Sequence, residues 1–465
     1  MPTRRQVVKG GVAAGAAAAI AGPQLLTRTA QAATIPGASI PKYQTNLHII
    51  PAMPKVTSVA GRDTFHYVAR RFSQQVLPAG FPATTVQGFG HPNGSLNRFP
   101  GPTLEARANV PSQVTWTNGL MASNGNFLPQ LFPVDPTIHW SNPPGGVNGR
   151  DTMPTFTETP GPYTGPHTLI VHHHGAHDFQ ESDGYPESWY LPNANNIPAG
   201  FAKVGSFYDQ FKAEAAARWG VNWPAGALIS VYPNDQRAMT LWFHDHSLGT
   251  TRLGPHSGLV GMSILRGGSS DLPAGVLPGP APMPGDAPGK KYFELMMVLT
   301  NHTYNDDGSV FFPAQRNLID GTPHPGPFVP FSDISPIWNP TRVGDVNEVN
   351  GNSWPKFTVE AKRYRFRFLA AANILPWRLK VVGAPADTAA ITPIWVIGSD
   401  GGFLPAPVST PVADPAFPGG RGLEIFTSER YDTIIDFAGL AGRSVFLINE
   451  FGAAGTTREV MRFDV

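Results

Sequence analysis

The sequence predicts an all-β protein built from two sandwich or barrel domains joined by a Pro/Gly-rich linker, and three observations predict it. First, 50 Gly and 49 Pro make up about a fifth of the 465 residues, against a usual share near ~12%, so turns are frequent. Second, short runs rich in Val, Thr, Phe, Tyr and Trp recur between clusters of Gly, Pro and Asn, which is how strands and their turns read. Third, residues 267–290, GGSSDLPAGVLPGPAPMPGDAPGK, separate two sets of such runs and show no periodicity of their own. Disorder is excluded, because 41% of the chain is hydrophobic and 11% aromatic. The length also exceeds what one core commonly serves.

The elements follow in order. Thr3-Arg4-Arg5-Gln6-Val7-Val8-Lys9, the small apolar stretch from Gly10 to Ile20 and the A-x-A site Ala30-Gln31-Ala32 have the layout of a cleaved export signal over 1–32. The paired arginines resemble a twin-arginine (Tat) signal, with Val7 where Phe is frequent. That predicts a mature chain starting near Ala33, exported to the periplasm, cell surface or medium. The apolar stretch stops at Pro23, short of the roughly 20 residues a bilayer span needs, so no membrane span is expected.

The first domain is expected over 33–266, with strands at Val114–Thr117, Thr168–Val171 and Met239–Phe243. One helix interrupts it: Ser206 to Trp219 places Phe207, Tyr208, Phe211 and Ala215 on one face, suited to covering the end of a barrel. After the 267–290 linker, the second domain, 291–465, resumes with strands at 293–300, 357–360, 363–369, 395–397, 431–437, 445–448 and 459–465.

Composition narrows the chemistry. With 34 Lys plus Arg against 33 Asp plus Glu and no long run of either sign, nucleic acid is not an expected partner. Zero cysteines exclude disulfides, Cys-based zinc sites, iron–sulfur clusters, thiol nucleophiles and a thiolate copper ligand.

Histidine carries the chemistry. None of the 14 His lies beyond His324, and five fall in two clusters at the ends of apolar runs, Val171-His172-His173-His174-Gly175 and Trp242-Phe243-His244-Asp245-His246. In a strand, residues i and i+2 share a face roughly 6.6 Å apart, so each HxH presents two imidazoles to one side. Two such strands side by side would make a four-imidazole face suited to copper, zinc or iron, with copper favoured among divalent ions by an all-nitrogen set. His172, His174, His244 and His246 are therefore the candidate metal ligands. His173 and Asp245 must point the other way and are expected to support rather than ligate. His139, His177 and His256 are expected at the surface. Asp183, in Ser182-Asp183-Gly184, reads as a turn former or as a catalytic carboxylate delivering protons to the metal site.

The run HHHGAHDFQESDGYPESWY (172–190), then Tyr232-Pro233-Asn234-Asp235-Gln236-Arg237 and LWFHDHSLGTTRLGPHSGLVGM (241–262), closely resembles the multicopper oxidases. The nearest branch is the spore-coat laccase, bilirubin oxidase and phenoxazinone synthase group. Phe99-Pro100-Gly101-Pro102-Thr103, Asp135-Pro136-Thr137-Ile138-His139, Tyr364-Arg365-Phe366-Arg367, Ile397-Gly398-Ser399-Asp400-Gly401-Gly402 and Glu429-Arg430-Tyr431-Asp432 match in the same order, so the resemblance covers nearly all of 60–465.

The resemblance implies cupredoxin-like Greek-key domains. It implies His172 as ligand of a type 2 copper, and His174, His244 and His246 as ligands of type 3 coppers in a cluster that reduces dioxygen to water at the expense of a reducing substrate. It places Asp183 at the family's proton-delivering acid and makes the second domain a copper-free spacer. The family's later ligand motifs, HPxHxH and HCHxxxHxxxxM, do not occur in these residues. Half of the trinuclear-cluster histidines are present and no type 1 site, which implies that the third cupredoxin domain is missing from this chain or supplied by a separate one, and that the chain alone is inactive. The alternative is a non-enzymatic exported protein that uses the scaffold for binding. A cupin-like mononuclear enzyme fits less well, since its Glu should follow HxH by three or four residues and Glu181 lies farther on.

Overall fold

The structure, a computed structural model, describes residues 33–59, 61–136, 138–152, 163–312, 343–417 and 419–465. The export signal read over 1–32, and His324, lie outside the described residues. The residues from 33 on form one compact unit.

In chain order the strands are β1 (Thr34–Ile35), β2 (Thr57–Val59), β3 (Arg62–Gln74), β4 (Thr84–Gly90), β5 (Gly101–Arg107), β6 (Ser112–Asn118), β7 (Val171–His174), β8 (Ala227–Tyr232), β9 (Met239–Asp245) and β10 (Val260–Arg266). They continue with β11 (Glu294–His302), β12 (Tyr304–Asn305), β13 (Val346–Val349), β14 (Asn352–Ser353), β15 (Lys356–Thr358), β16 (Arg363–Ala370), β17 (Trp377–Val382), β18 (Ile394–Ser399), β19 (Gly402–Thr410), β20 (Leu423–Ile425), β21 (Arg430–Asp436), β22 (Ser444–Asn449) and β23 (Glu459–Asp464).

Four sheets make two sandwiches, so the all-β expectation holds. The first pairs a sheet of order β2-β3-β6-β8, with β4 also on β3, and a sheet of order β5-β10-β9-β7. The second pairs β14-β13-β11-β16-β21-β18-β19 with β15-β23-β22-β17-β20. Most neighbours are antiparallel, but β3 with β6, β5 with β10, β11 with β16 and β15 with β23 are parallel. Parallel neighbours need crossover connections rather than hairpins, which suits a Greek-key arrangement.

Alternation of apolar residues builds each interior. Ser112–Asn118 alternates buried and half-buried positions, sending Val114 and Trp116 inward against Tyr67, Phe89 and Phe243; Trp116 stacks on Tyr67 with ring centroids 4.7 Å apart. The second interior gathers Leu295, Met297, Phe366, Phe368, Trp377, Ile435 and Phe463. A third apolar cluster joins the two, with Trp242, Val260, Met262 and Ile264 against Met296, Val298, Trp354 and Leu369. β11 is buried at every position, as a strand covered on both faces must be.

Two details depart from sequence order. Residues 34–47 precede the first sandwich in the chain but run along the second: β1 pairs with β12, Tyr43 N donates to Trp354 O and Leu47 sits in the second interior. The strand expected at Thr168–Val171 forms later, at Val171–His174, because Leu169 exchanges its main-chain bonds with Tyr190 in a loop. The helix is observed at Tyr208–Trp219, burying Tyr208, Phe211 and Ala215. Residues 267–290 contain six Pro and no strand, consistent with a segment that lacks many ladder donors. Among the described residues no helix is long and apolar enough to cross a membrane, which says nothing of a β-barrel.

Candidate metal centre

β7 and β9 are antiparallel neighbours, and their register sets His172 opposite His244 and His174 opposite Trp242. Directly opposed residues share a face, so the two HxH motifs converge as the period of two requires. His246 continues from β9, held by its N–H donating to Ile170 O at 2.7 Å. Ring centroids lie 5.2 Å apart for His172 and His174, 5.5 Å for His172 and His244, 4.8 Å for His172 and His246, and 5.5 Å for His244 and His246. One ligand nitrogen each from His172, His174 and His244 lies within 4.8 Å of the others.

Main-chain carbonyls fix the ring orientations. Nδ1 of His172 donates to Asp183 O at 2.5 Å, Nδ1 of His244 to Asp245 O at 2.8 Å and Nδ1 of His246 to Gly184 O at 3.1 Å. A carbonyl only accepts, so each Nδ1 carries the hydrogen and each Nε2 keeps its lone pair. Gly184 lets the loop press against β7: it has φ +88°, and a Cβ there would overlap Val171 O and the His172 backbone.

His172, His174 and His244 are held neutral. Burial lowers the pKa of His172 against the opposing pull of the Asp183 carbonyl and charge. Burial, the Arg430 guanidinium and the other imidazoles lower His174 to about 4. Burial pushes His244 well below the usual histidine value. His172 and His244, neutral and with fixed tautomers, keep free Nε2 atoms, and with neutral His174 beside them they are a donor set that fits a divalent transition metal.

The supporting residues lie where the alternation puts them. His173 points into the sandwich, with Nε2 3.0 Å from Ser263 Oγ, Nδ1 3.4 Å from the Asp178 carboxylate and its ring on Tyr232. Asp245 is buried and accepts from Ile170 N, Ser247 N and Ser247 Oγ, which fixes the chain between His244 and His246. Asp183 stands at the rim: its side chain is 45% exposed, with Oδ1 3.6 Å from His172 Nδ1. His177 is exposed and pairs with Asp235 at 2.8 Å, and His139 bonds the Asp151 carbonyl.

His256 departs from the surface position expected of it. It lies half-buried against His302, ring centroids 4.4 Å apart, because the short helix Leu253–Ser257 packs it between the sandwiches. Two residues of the site escaped the sequence reading. Trp242 floors the face, stacked on His244 with ring centroids 4.1 Å apart and tilted against His174 at 5.1 Å; its place two residues before His244 was the available signal. Arg430 reaches the turn after His174 from the second sandwich; the Glu429-Arg430-Tyr431-Asp432 match includes it but says nothing of its place beside the imidazoles.

An all-β double sandwich with convergent, neutral imidazoles on one sheet edge defines a cupredoxin-like protein with a candidate metal face. The chain is a relative of the multicopper oxidases. It is 30% identical over 421 residues to a laccase of Bacillus subtilis, covering 90% of this chain and 64% of that protein. It is 28% identical over 457 residues to a laccase of Haloferax volcanii, covering 97% and 62%. In fold it is similar to a multi-copper oxidase from Pediococcus acidilactici, with TM-score 0.55, 18% identity and coverage of 91% and 61%. A metallo-oxidase of Campylobacter jejuni gives TM-score 0.54, 12% identity and coverage of 94% and 64%. The chain thus spans a little under two thirds of the length of these relatives. No family model matches it.

Proposed function

We propose that this chain is the copper-binding, two-domain portion of a laccase-like multicopper oxidase, with domains at 33–266 and 291–465 joined by 267–290, residues 34–47 of the first lying along the second, and exported by the twin-arginine route through residues 1–32. The observation that carries the reading is the His172–His244 register, which brings two HxH motifs to one face with the Nδ1 atoms of His172, His244 and His246 tied to carbonyls. His172 is assigned to a type 2 copper and His174, His244 and His246 to type 3 coppers. Bound copper supplies the electron transfer by which dioxygen is reduced to water at the expense of a reducing substrate.

The chain's own groups orient and protect. The Asp183, Gly184 and Asp245 carbonyls hold three rings, and Trp242 shields one side of His244 from water. Asp183 Oδ1, at the rim, holds and passes protons between solvent and the face. A type 1 copper takes a Cys thiolate, and these 465 residues contain none. The copper-loaded chain alone is therefore expected not to oxidise phenols, and the missing ligands to come from a third cupredoxin domain outside these residues. Titration with Cu(II), followed by paramagnetic resonance, tests the site: the His172→Ala/His244→Ala double variant should lose bound copper, and a variant that binds as much as the parent would sink the assignment. Phenol turnover by the copper-loaded chain would remove the claim of inactivity.

A further inference from the structure

The four imidazoles belong to the first sandwich, yet one charged side chain of the second reaches the turn that follows His174. Arg430 opens β21 and is only 2% exposed. Its Nε donates to Thr240 O on β9 at 3.3 Å and its Nη1 to Ser428 O at 2.8 Å. Nη1 also lies 3.2 Å from Asp400 Oδ1, a side chain half exposed to solvent. The other arm, Nη2, comes so close to Gly175 that a Cβ there would overlap it, and Gly175, at φ +88°, is the residue that follows His174. The guanidinium is thus anchored to the strand that carries His244 and pressed on the turn that carries His174.

We propose that Arg430 is a positioning residue of the metal face, a fixed positive charge lent by the second sandwich that biases copper held by His174 toward the cuprous state. The inference rests on the copper reading above. Coulomb energy scales with the product of charges, so a guanidinium repels Cu(II) about twice as strongly as Cu(I) at the same place. Burial keeps solvent from screening that difference. Asp400 offsets part of the charge, and its exposed side makes the offset adjustable. The second sandwich therefore has more than a spacer's part.

The test measures Cu(I) affinity by competition with bicinchoninate and Cu(II) affinity by competition with nitrilotriacetate, on the full chain. Arg430→Gln should raise the ratio of Cu(II) to Cu(I) affinity about tenfold, the order expected for loss of one unit charge near a partly buried ion. Arg430→Lys should keep the ratio near the parent's, and Asp400→Asn should lower it. A scaffold that merely loosens weakens both ions together and leaves the ratio unchanged, and that result overturns the proposal. If Arg430→Gln does not fold, the opposite-signed shift of Asp400→Asn decides: a lowered ratio supports the proposal and an unmoved one overturns it. A parent chain that binds neither ion removes the copper reading and this inference with it, whereas bound copper with an unmoved ratio removes this inference alone.

Discussion

At the scale of single residues, the candidate site depends on backbone positions as much as on side chains. Asp183 drew attention in the sequence for its carboxylate, yet the atom that orients His172 is its main-chain oxygen. Gly184 makes that contact possible through a positive φ and a missing Cβ. Gly184→Ala should therefore cost about 2 kcal/mol, combining the strain of a left-handed conformation with overlap on β7. Urea unfolding reads the loss, and a copper titration should show weaker binding because His172 is displaced. Stability and affinity both equal to the parent's would show that the loop needs no glycine. The imidazoles themselves were legible, since a period of two fixes which side chains share a face. Arg430 was not, because its neighbour Gly175 lies 255 positions away and only the packing of two sandwiches joins them.

At the scale of elements, the helix Tyr208–Trp219 was legible as an amphipathic segment, and its task was not. It does more than cover an end of the sandwich. Phe207 and Phe211 pack on Tyr185, with ring centroids 5.0 and 5.5 Å away, and Arg218 bonds the buried Glu181 at 2.8 Å. These contacts bracket the Asp183 and Gly184 carbonyls, so the helix holds the loop that holds His172 and His246. Phe211→Ala should cost about 3 kcal/mol, the usual price of an emptied aromatic core site, and should lower copper affinity without touching a ligand. Denaturant melts and the same copper titration give both numbers, and a destabilised variant with unchanged affinity would separate the helix from the site. The β7 boundary shows the converse limit. Thr168–Val171 has strand-forming composition, but ladder partners are set by distant chain, and Leu169 finds Tyr190 instead.

At the scale of the whole molecule, the two sandwiches share an apolar seam and, beside it, a set of three guanidiniums and three carboxylates, buried except for the half-buried Arg266 and Glu105. Composition shows neither, nor that residues 34–47 lie on the second sandwich, because pairing across hundreds of residues leaves no local trace. In the charged set Arg266 and Glu105 come from the first sandwich, and Glu294, Arg365, Arg367 and Asp432 from the second. Glu294 is central: Arg266 reaches it at 3.0 Å, Arg367 at 2.7 Å and Arg365 at 3.6 Å. Burial alone would raise its pKa, but the three guanidiniums outweigh burial and lower it to about 2 from 4.5. A carboxylate depressed on folding contributes stability that is complete above its unfolded pKa and is lost as pH falls through the folded value. The window therefore runs from about pH 4.5 down to about pH 2, and the shift corresponds to about 3 kcal/mol at neutral pH. Glu294→Gln should lose about that much at pH 7, since it leaves three guanidiniums, those of Arg365 and Arg367 buried, facing two carboxylates. Urea unfolding measured at a series of pH values should show the parent's stability falling more steeply than the variant's between pH 4.5 and 2. Parallel curves would mean that Glu294 titrates alike in folded and unfolded chains, and the charged set would then have no part in holding the sandwiches together in acid.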